Sequence, residues 1–177
     1  IDMKGDRNNI TATANISHLT LSLFGQTFSN DSAINFQVQN KKLSLSTFAL
    51  KSGTTSFRLQ GWLEIGKEYD LVLDGSSSLA PLKGFTKKIG YLKGDTDFVF
   101  SVRGKWEKPE INGGMNISDA SFGLRDYPSY ISSINGYLYV DADKIVLDRL
   151  SGRLGSGIIN VAGIVYLKAF SMKRFYL

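Results

Sequence analysis

Apolar and polar residues alternate along most of this chain, with an apolar side chain at every second position. In the segment 97–103, Phe98, Phe100 and Val102 fall on one side, and Asp97 is among the polar residues on the other. A period of two is that of a β-strand with one apolar and one polar face. The strands predicted in this way are 10–16, 19–24, 34–38, 43–48, 57–63, 69–74, 97–103, 110–118, 121–124, 137–140, 145–147 and 158–166. The predicted turns between them are 29–32, 40–41, 52–53, 66–67 and 112–113.

The succession of short strands predicts the fold class. Strands that follow one another without amphipathic helices between them are typical of an antiparallel all-β fold. A parallel α/β sheet would need crossover helices, and their apolar period is absent. We therefore predict an all-β chain with an elongated, curved, antiparallel or mixed sheet built of repeated strands. Residues 1–177 would form one domain, and the chain has the character of a fragment of a longer protein.

One segment departs from the alternation. Leu79, Leu82, Phe85 and Ile89 recur at helical spacing, with lysines on the opposite side. This pattern predicts one short helix near residues 79–89, whose apolar side covers an edge or an end of the sheet. The alternative is that its basic face contacts a membrane or a partner protein.

Two segments, 42–63 and 144–165, repeat the same arrangement of strand, glycine-containing turn and strand. Matching lysine, glycine and apolar positions lie 102 residues apart, without a gap. The weaker resemblance extends to about residues 8–75 and 110–177, and its upstream part is offset by one residue less. Repeats that supply strands favour a stacked, elongated architecture.

The apolar side of such a sheet has two possible environments. It can be buried completely against a second sheet, as in a sandwich, or it can line a trough that remains open. Exposed apolar surface of more than a few hundred Å² usually marks a ligand or partner site. An acyl chain with about fourteen buried methylenes would gain about 11 kcal/mol before the costs of binding, at about 0.8 kcal/mol each.

The candidate lipid-binding positions are the apolar residues that alternate along the predicted strands. They are Leu21, Leu23, Phe36, Val38, Leu43, Leu45, Phe57, Leu59, Leu71, Leu73, Phe98, Phe100, Val102, Ile111, Met115, Ile117, Leu138, Val140, Ile145, Leu147, Ile159 and Val161.

Residues that carry out catalysis or hold metals are scarce. The chain has no Cys, which excludes disulfides and thiolate sites, and its one His is His18. We predict no catalytic residues, no metal site and no cofactor, and therefore a protein that is not an enzyme. The net charge is +5, but the aromatic residues share faces with Leu and Val, so we expect no nucleic-acid partner. No segment is apolar and long enough to be a membrane-spanning helix.

The second half of the chain resembles a known family. The segment Gly104–Gly123, GKWEKPEINGGMNISDASFG, is followed by INGYL at 134–138 and by KIVLDRLSGRLGSGIINVAG at 144–163. This order of motifs resembles the TamB family of AsmA-like envelope proteins, the inner-membrane component of the translocation and assembly module. The first half resembles it through its weaker copy of the repeat.

The resemblance implies both a fold and a function. It implies a β-taco, an elongated curved sheet with an apolar groove, in a periplasmic segment of a protein anchored in the inner membrane. It implies a conduit for phospholipid or another acyl-chain lipid between the inner and outer membranes. The alternative is a structural or chaperone module that assists assembly or secretion of outer-membrane β-barrel proteins. Such a module would use β-strand augmentation and an Omp85-family partner.

Overall fold

The computed structural model describes residues 11–23, 25–80, 83, 87–168 and 171–176, with side chains as far as Tyr166. The described residues form thirteen strands. They are β1 Thr11–Ile16, β2 Thr20–Leu23, β3 Gln26–Ser29, β4 Ile34–Gln39, β5 Lys42–Ser52, β6 Thr55–Glu64, β7 Glu68–Ser78, β8 Ile89–Lys105, β9 Lys108–Leu124, β10 Tyr130–Asp141, β11 Lys144–Leu154, β12 Gly157–Lys168 and β13 Ser171–Tyr176.

The strands belong to one sheet. Its order is β1-β4-β5-β6-β7-β8-β9-β10-β11-β12-β13, and β2 and β3 form a side hairpin in which β3 also pairs with β5. The order begins and ends at different strands, so the sheet is open and not closed into a barrel. The strand pairs with a defined register are antiparallel. The prediction of an all-β fold with an open antiparallel sheet is confirmed.

The chain divides into two compact units. Unit 1 contains residues 1–74 and 101–110, and unit 2 contains residues 75–100 and 111–177. Since β7, β8 and β9 are long, each contributes one part to unit 1 and the other part to unit 2.

The sequence repeat has a counterpart in strand pairing. In unit 1, Leu43 pairs with Leu63, and a register shift separates Leu45 from Phe48. In unit 2, Ile145 pairs with Val165, and a shift separates Leu147 from Leu150. All of these positions differ by 102, including the position of the shift. Both hairpins therefore have the same register and the same bulge.

The first strand of each copy shows the smaller offset that the sequence indicated. Thr11 of β1 pairs with Gln39 of β4, and Asn112 of β9 pairs with Asp141 of β10. Gln39 and Asp141 are 102 residues apart, whereas their partners are 101 residues apart. The single-residue difference is therefore absorbed between the first and second strands of the copy, where the connections also differ in structure.

A buried hydrophobic cluster lies in unit 1. Phe28 of the side hairpin, Ile34 of β4 and Leu50 of β5 form a buried cluster. The Phe28 ring lies 5.3 Å from the Phe57 ring, centroid to centroid. The corner before β4 is held by Asn30, which accepts a hydrogen bond from the Leu19 amide at 2.7 Å and donates to backbone carbonyls. The β2–β3 hairpin is thus fixed against the ends of β4 and β5.

Shortening one side chain of this cluster by a methylene group tests its packing. Ile34 is 1% exposed and Ile158 is 69% exposed. We expect Ile34→Val to lower the free energy of unfolding by about 1 kcal/mol, because the lost methylene leaves a small cavity. The matched change Ile158→Val should alter it by less than about 0.5 kcal/mol. Urea titration of both variants, followed by circular dichroism, measures the difference, and equal losses would contradict this packing.

Three predictions at the level of secondary structure need correction. Five of the eleven residues of the helix predicted near 79–89, residues 81, 82 and 84–86, lie outside the described residues, and its last position is wrong because β8 begins at Ile89. The turn at 112–113 is also wrong, since both residues lie inside β9. Gly113 has φ +151°, and a side chain there would overlap the Val99 carbonyl, so this glycine permits close approach to β8. The predicted strands 110–118 and 121–124 are parts of one strand, and β3 and β13 were not predicted.

Candidate functional site

Unit 1 has an apolar face that strand register defines directly. Residues directly opposite each other in antiparallel strands have side chains on the same face. Phe36 pairs with Leu45 and Val38 pairs with Leu43. Beyond the bulge in β5, Leu59 pairs with Phe48, and Phe57 pairs with Leu50. The predicted groove residues of β4, β5 and β6 therefore lie on one face.

The opposite face of unit 1 is polar. Its ion pairs show which residues of β7 and β8 lie on the apolar face. Arg58 donates two hydrogen bonds to Asp74, at 3.1 and 2.9 Å, and Arg103 donates one to Asp70 at 2.8 Å. Arg58 pairs with Ala49, and its side chain lies on the face opposite to that of its neighbour Leu59. Since side chains alternate along a strand, the neighbours of these charged residues lie on the apolar face. Those neighbours are Leu71, Leu73 and Val102.

Unit 2 has an apolar face of the same construction. Leu138 pairs with Leu147 and Val140 with Ile145, and on the other side of β10 Met115 pairs with Leu138 and Ile117 with Gly136. In β12, Val161 faces Leu150 and Ile159 faces Gly152. Alternation along β9 places Ile111 on the same face.

Two phenylalanines of β8 extend the apolar face of unit 2. The Phe98 and Phe100 rings are stacked, with their centroids 6.1 Å apart. A Cβ atom at Gly113 would lie 2.8 Å from Cδ1 of Phe100. Gly113 itself pairs with Val140. Phe100 therefore lies beside the paired residues Gly113, Val140 and Ile145.

The exposure of these side chains decides what kind of face they form. In a sandwich core most of them would be fully buried. Instead, every predicted groove residue is half-buried except Leu45, which is buried, and Leu23, which is exposed. The apolar rows are therefore packed against their neighbours in the sheet but remain accessible to a further apolar group.

One end of the unit 1 face is covered by the chain itself. Leu21 pairs with Phe28 in the side hairpin, and Leu21, Phe36 and Phe57 pack against the buried cluster of Phe28, Ile34 and Leu50. These three candidate residues are therefore engaged in the core of unit 1. The accessible part of the unit 1 face lies further along the strands, around Val38 and Leu43.

Several residues of the apolar faces were missed. Strict alternation from Leu43 and Leu45 would turn Phe48 and Leu50 to the polar face, but the bulge after Leu45 reverses the alternation. The signal for this bulge was present, because apolar residues in β5 and β11 are separated by three positions at the same place in both copies. The other missed members are Leu63, Leu150 and Val165.

In unit 1, Arg58 and Arg103 form ion pairs on the polar face, and Lys67 pairs with Glu64 at the end of β6. The hydrogen bond to Asp74 and the negative charge of that carboxylate raise the pKa of Arg58 above its ordinary value. Glu64 raises the pKa of Lys67 in the same way, at the turn after β6. Among the residues that the structure describes, no group of three His, Cys, Asp or Glu side chains is arranged to hold a metal ion.

Comparison with known proteins gives no relative for this arrangement. No family model, no curated protein and no solved structure matches the chain. Within the described residues, no helix has the length and apolar character needed to cross a membrane.

Proposed function

We propose that this chain is a non-catalytic lipid-binding segment that holds phospholipid acyl chains on its apolar face for transport between the inner and outer membranes. The observation that supports the proposal is the partial exposure of an almost uninterrupted row of large apolar side chains in each unit. The sheet would curve into a groove around the lipid, in a periplasmic segment of a longer, inner-membrane-anchored protein of TamB type.

The energetics of an acyl chain suit such a face. The gain from burying methylenes, about 0.8 kcal/mol each, is not directional, so the site needs no particular polar group. Strands are about 4.8 Å apart, so a fourteen-carbon chain lying across them would span about four strands. In unit 2, Met115, Leu138 and Leu147 pair across β9, β10 and β11, and Phe100 of β8 adjoins the same face beside Val140, so apolar side chains occupy four successive strands. One acyl chain therefore has a continuous apolar row to lie on.

Site-specific photo-crosslinking tests this proposal. A photoreactive phenylalanine derivative at Phe100 or at Leu147 should capture phospholipid when cells are irradiated, because both side chains lie on the apolar face. The matched control is Tyr139, which is 38% exposed and faces the other side of β10. Lipid adducts at the first two positions and none at Tyr139 are expected. Absence of adducts at Phe100 and Leu147, or equal capture at all three positions, would contradict the proposal.

A second function is favoured by the open ends of the sheet. In the described residues, β1 pairs with β4 alone and β13 pairs with β12 alone. Strand edges of this kind accept further strands by hydrogen bonding. The alternative proposal is therefore a module that receives β-strands of outer-membrane proteins, with an Omp85-family partner. Crosslinks from Thr13 of β1 to an outer-membrane barrel protein, without lipid adducts at Leu147, would favour this alternative.

A further inference from the structure

Exposed apolar side chains gather at one end of unit 2. In an antiparallel succession of strands, the last residues of β7, β9 and β11 and the first residues of β8, β10 and β12 lie at the same end. The exposed residues there are Leu124 at 39%, Tyr127 at 67%, Tyr130 at 55%, Leu154 at 46%, Ile158 at 69% and Tyr91 at 45%. Single exposed apolar residues are common, but a group of them at one site marks an interaction surface.

Contacts join the three connections into one surface. The Tyr91 ring of β8 meets the Tyr130 ring of β10 edge to face, at 5.8 Å between centroids. The Arg125 amide donates a hydrogen bond to the Lys88 carbonyl at 2.9 Å, which links the β9–β10 and β7–β8 connections.

The third connection adjoins the second through β10 and β11. Ile131, the neighbour of Tyr130, pairs with Leu154, and Arg153 pairs with Ile158 in the next hairpin. We call this surface the tyrosine tip. It is defined by the six exposed residues given above.

Basic residues accompany the tyrosine tip. Lys87, Lys88, Arg125 and Arg153 are all exposed at this end, and Asp126 is the acidic residue beside them. Unit 1 also exposes apolar groups, Ile65 and Trp106. There, however, lysines and glutamates are interspersed in the segments 64–68 and 105–110. The tyrosine tip, in contrast, combines exposed apolar groups with a clear positive excess.

This combination indicates which partner the surface fits. Tyrosine has an apolar ring and a polar hydroxyl, and it is favoured where an apolar region meets water. Basic residues are attracted to anionic headgroups, and the attraction adds for each residue near the surface. A bilayer surface with anionic lipids offers both an apolar boundary for the exposed rings and negative headgroups for the basic residues.

We propose that the tyrosine tip docks on the surface of a membrane that contains anionic lipids. Tyr127 and Ile158 would enter the boundary between headgroups and acyl chains, and Arg125 and Arg153 would contact lipid phosphates. The inference does not depend on lipid being carried on the apolar face. The tyrosine tip gives the chain a second contact with lipid, at the plane of a bilayer.

Co-sedimentation of the chain with vesicles tests the inference. Binding is expected to vesicles of equal parts phosphatidylcholine and phosphatidylglycerol, and to be much weaker to phosphatidylcholine alone. The double variants Tyr127→Ser with Ile158→Ser, and Arg125→Gln with Arg153→Gln, should each lower the vesicle partition coefficient roughly tenfold or more. The matched control is Ile65→Ser, a residue of the same exposure, 67%, in unit 1, which should leave the partition coefficient unchanged.

A fluorescent label gives a second measurement that does not depend on affinity. Because the chain has no Cys, Tyr127→Cys and Ile65→Cys can each carry one environment-sensitive dye. Addition of the anionic vesicles should shift the emission at position 127 to the blue and leave position 65 unchanged. Equal shifts, undiminished binding of the double variants, or equal binding to neutral vesicles would overturn the inference. So would sedimentation analysis in which the variants lose self-association and the vesicles are not bound, since the surface would then join two copies of the chain.

Discussion

Replacement of Gly61 by Ala is expected to lower the free energy of unfolding of unit 1 by about 3 kcal/mol. Gly61 lies in β6 with φ +123°, and a Cβ atom there would overlap the Asp70 carbonyl oxygen and lie 3.0 Å from the Leu71 Cα atom. The backbone of β7 would have to move, because these are main-chain atoms and not the end of a flexible side chain. Trp62 is the next residue, so its fluorescence reports unfolding by urea.

The control for this variant is Gly53→Ala. Gly53 also has a positive φ, +57°, and also lies in unit 1, but a Cβ atom there would meet nothing within 4 Å. Only the cost of the left-handed conformation remains, about 1 kcal/mol. Equal destabilisation by the two substitutions would show that β6 and β7 are not as close as the structure indicates.

Replacement of Leu147 by Asp is expected to weaken acyl-chain binding on the order of a hundredfold. Leu147 is half-buried and pairs with Leu138 on the apolar face of unit 2. An acyl chain lying on this row would remove water from the new carboxylate without offering it a hydrogen bond. Titration of the purified chain with a fluorescent fatty acid measures the change.

The matched control for the binding measurement is Val146→Asp. Val146 is the adjacent residue, is also half-buried, and pairs with Tyr139 on the opposite face. Its substitution should leave fatty-acid affinity within about threefold of the unmodified chain, since its carboxylate does not meet the ligand. Near-ultraviolet circular dichroism of both variants establishes that each has kept its fold. Equal loss of affinity would place binding outside the apolar face.

Alternation was sufficient to predict most of the architecture. A half-exposed sheet imposes a period of two, so the facing of Phe36, Val38, Leu138 and Val140 followed from sequence alone. The repeat followed as well, because two hairpins of equal length and equal bulge retain their spacing of 102 residues. These features are local, or they depend on one strand and its neighbour.

Two of the features that were not predicted depend on contacts between distant residues, and a third is a local bulge. The turn at 112–113 has the Asn-Gly sequence typical of hairpins, but Gly113 permits β8 to approach closely within a continuous strand. The bulge after Leu45 reverses the faces of Phe48 and Leu50, and strict alternation does not include it. The side hairpin could not be distinguished from a loop, because β3 is short and is held by Phe28 against Leu50.

The amount of phospholipid bound to the purified chain tests the central claim most directly. The chain should be isolated without detergent and examined by native mass spectrometry, followed by extraction and identification of the lipid. The account predicts a mass increment equal to one or more phospholipids, which is lost from Leu147→Asp and retained by Val146→Asp. A chain of bare mass that also fails to take up added phospholipid would contradict it.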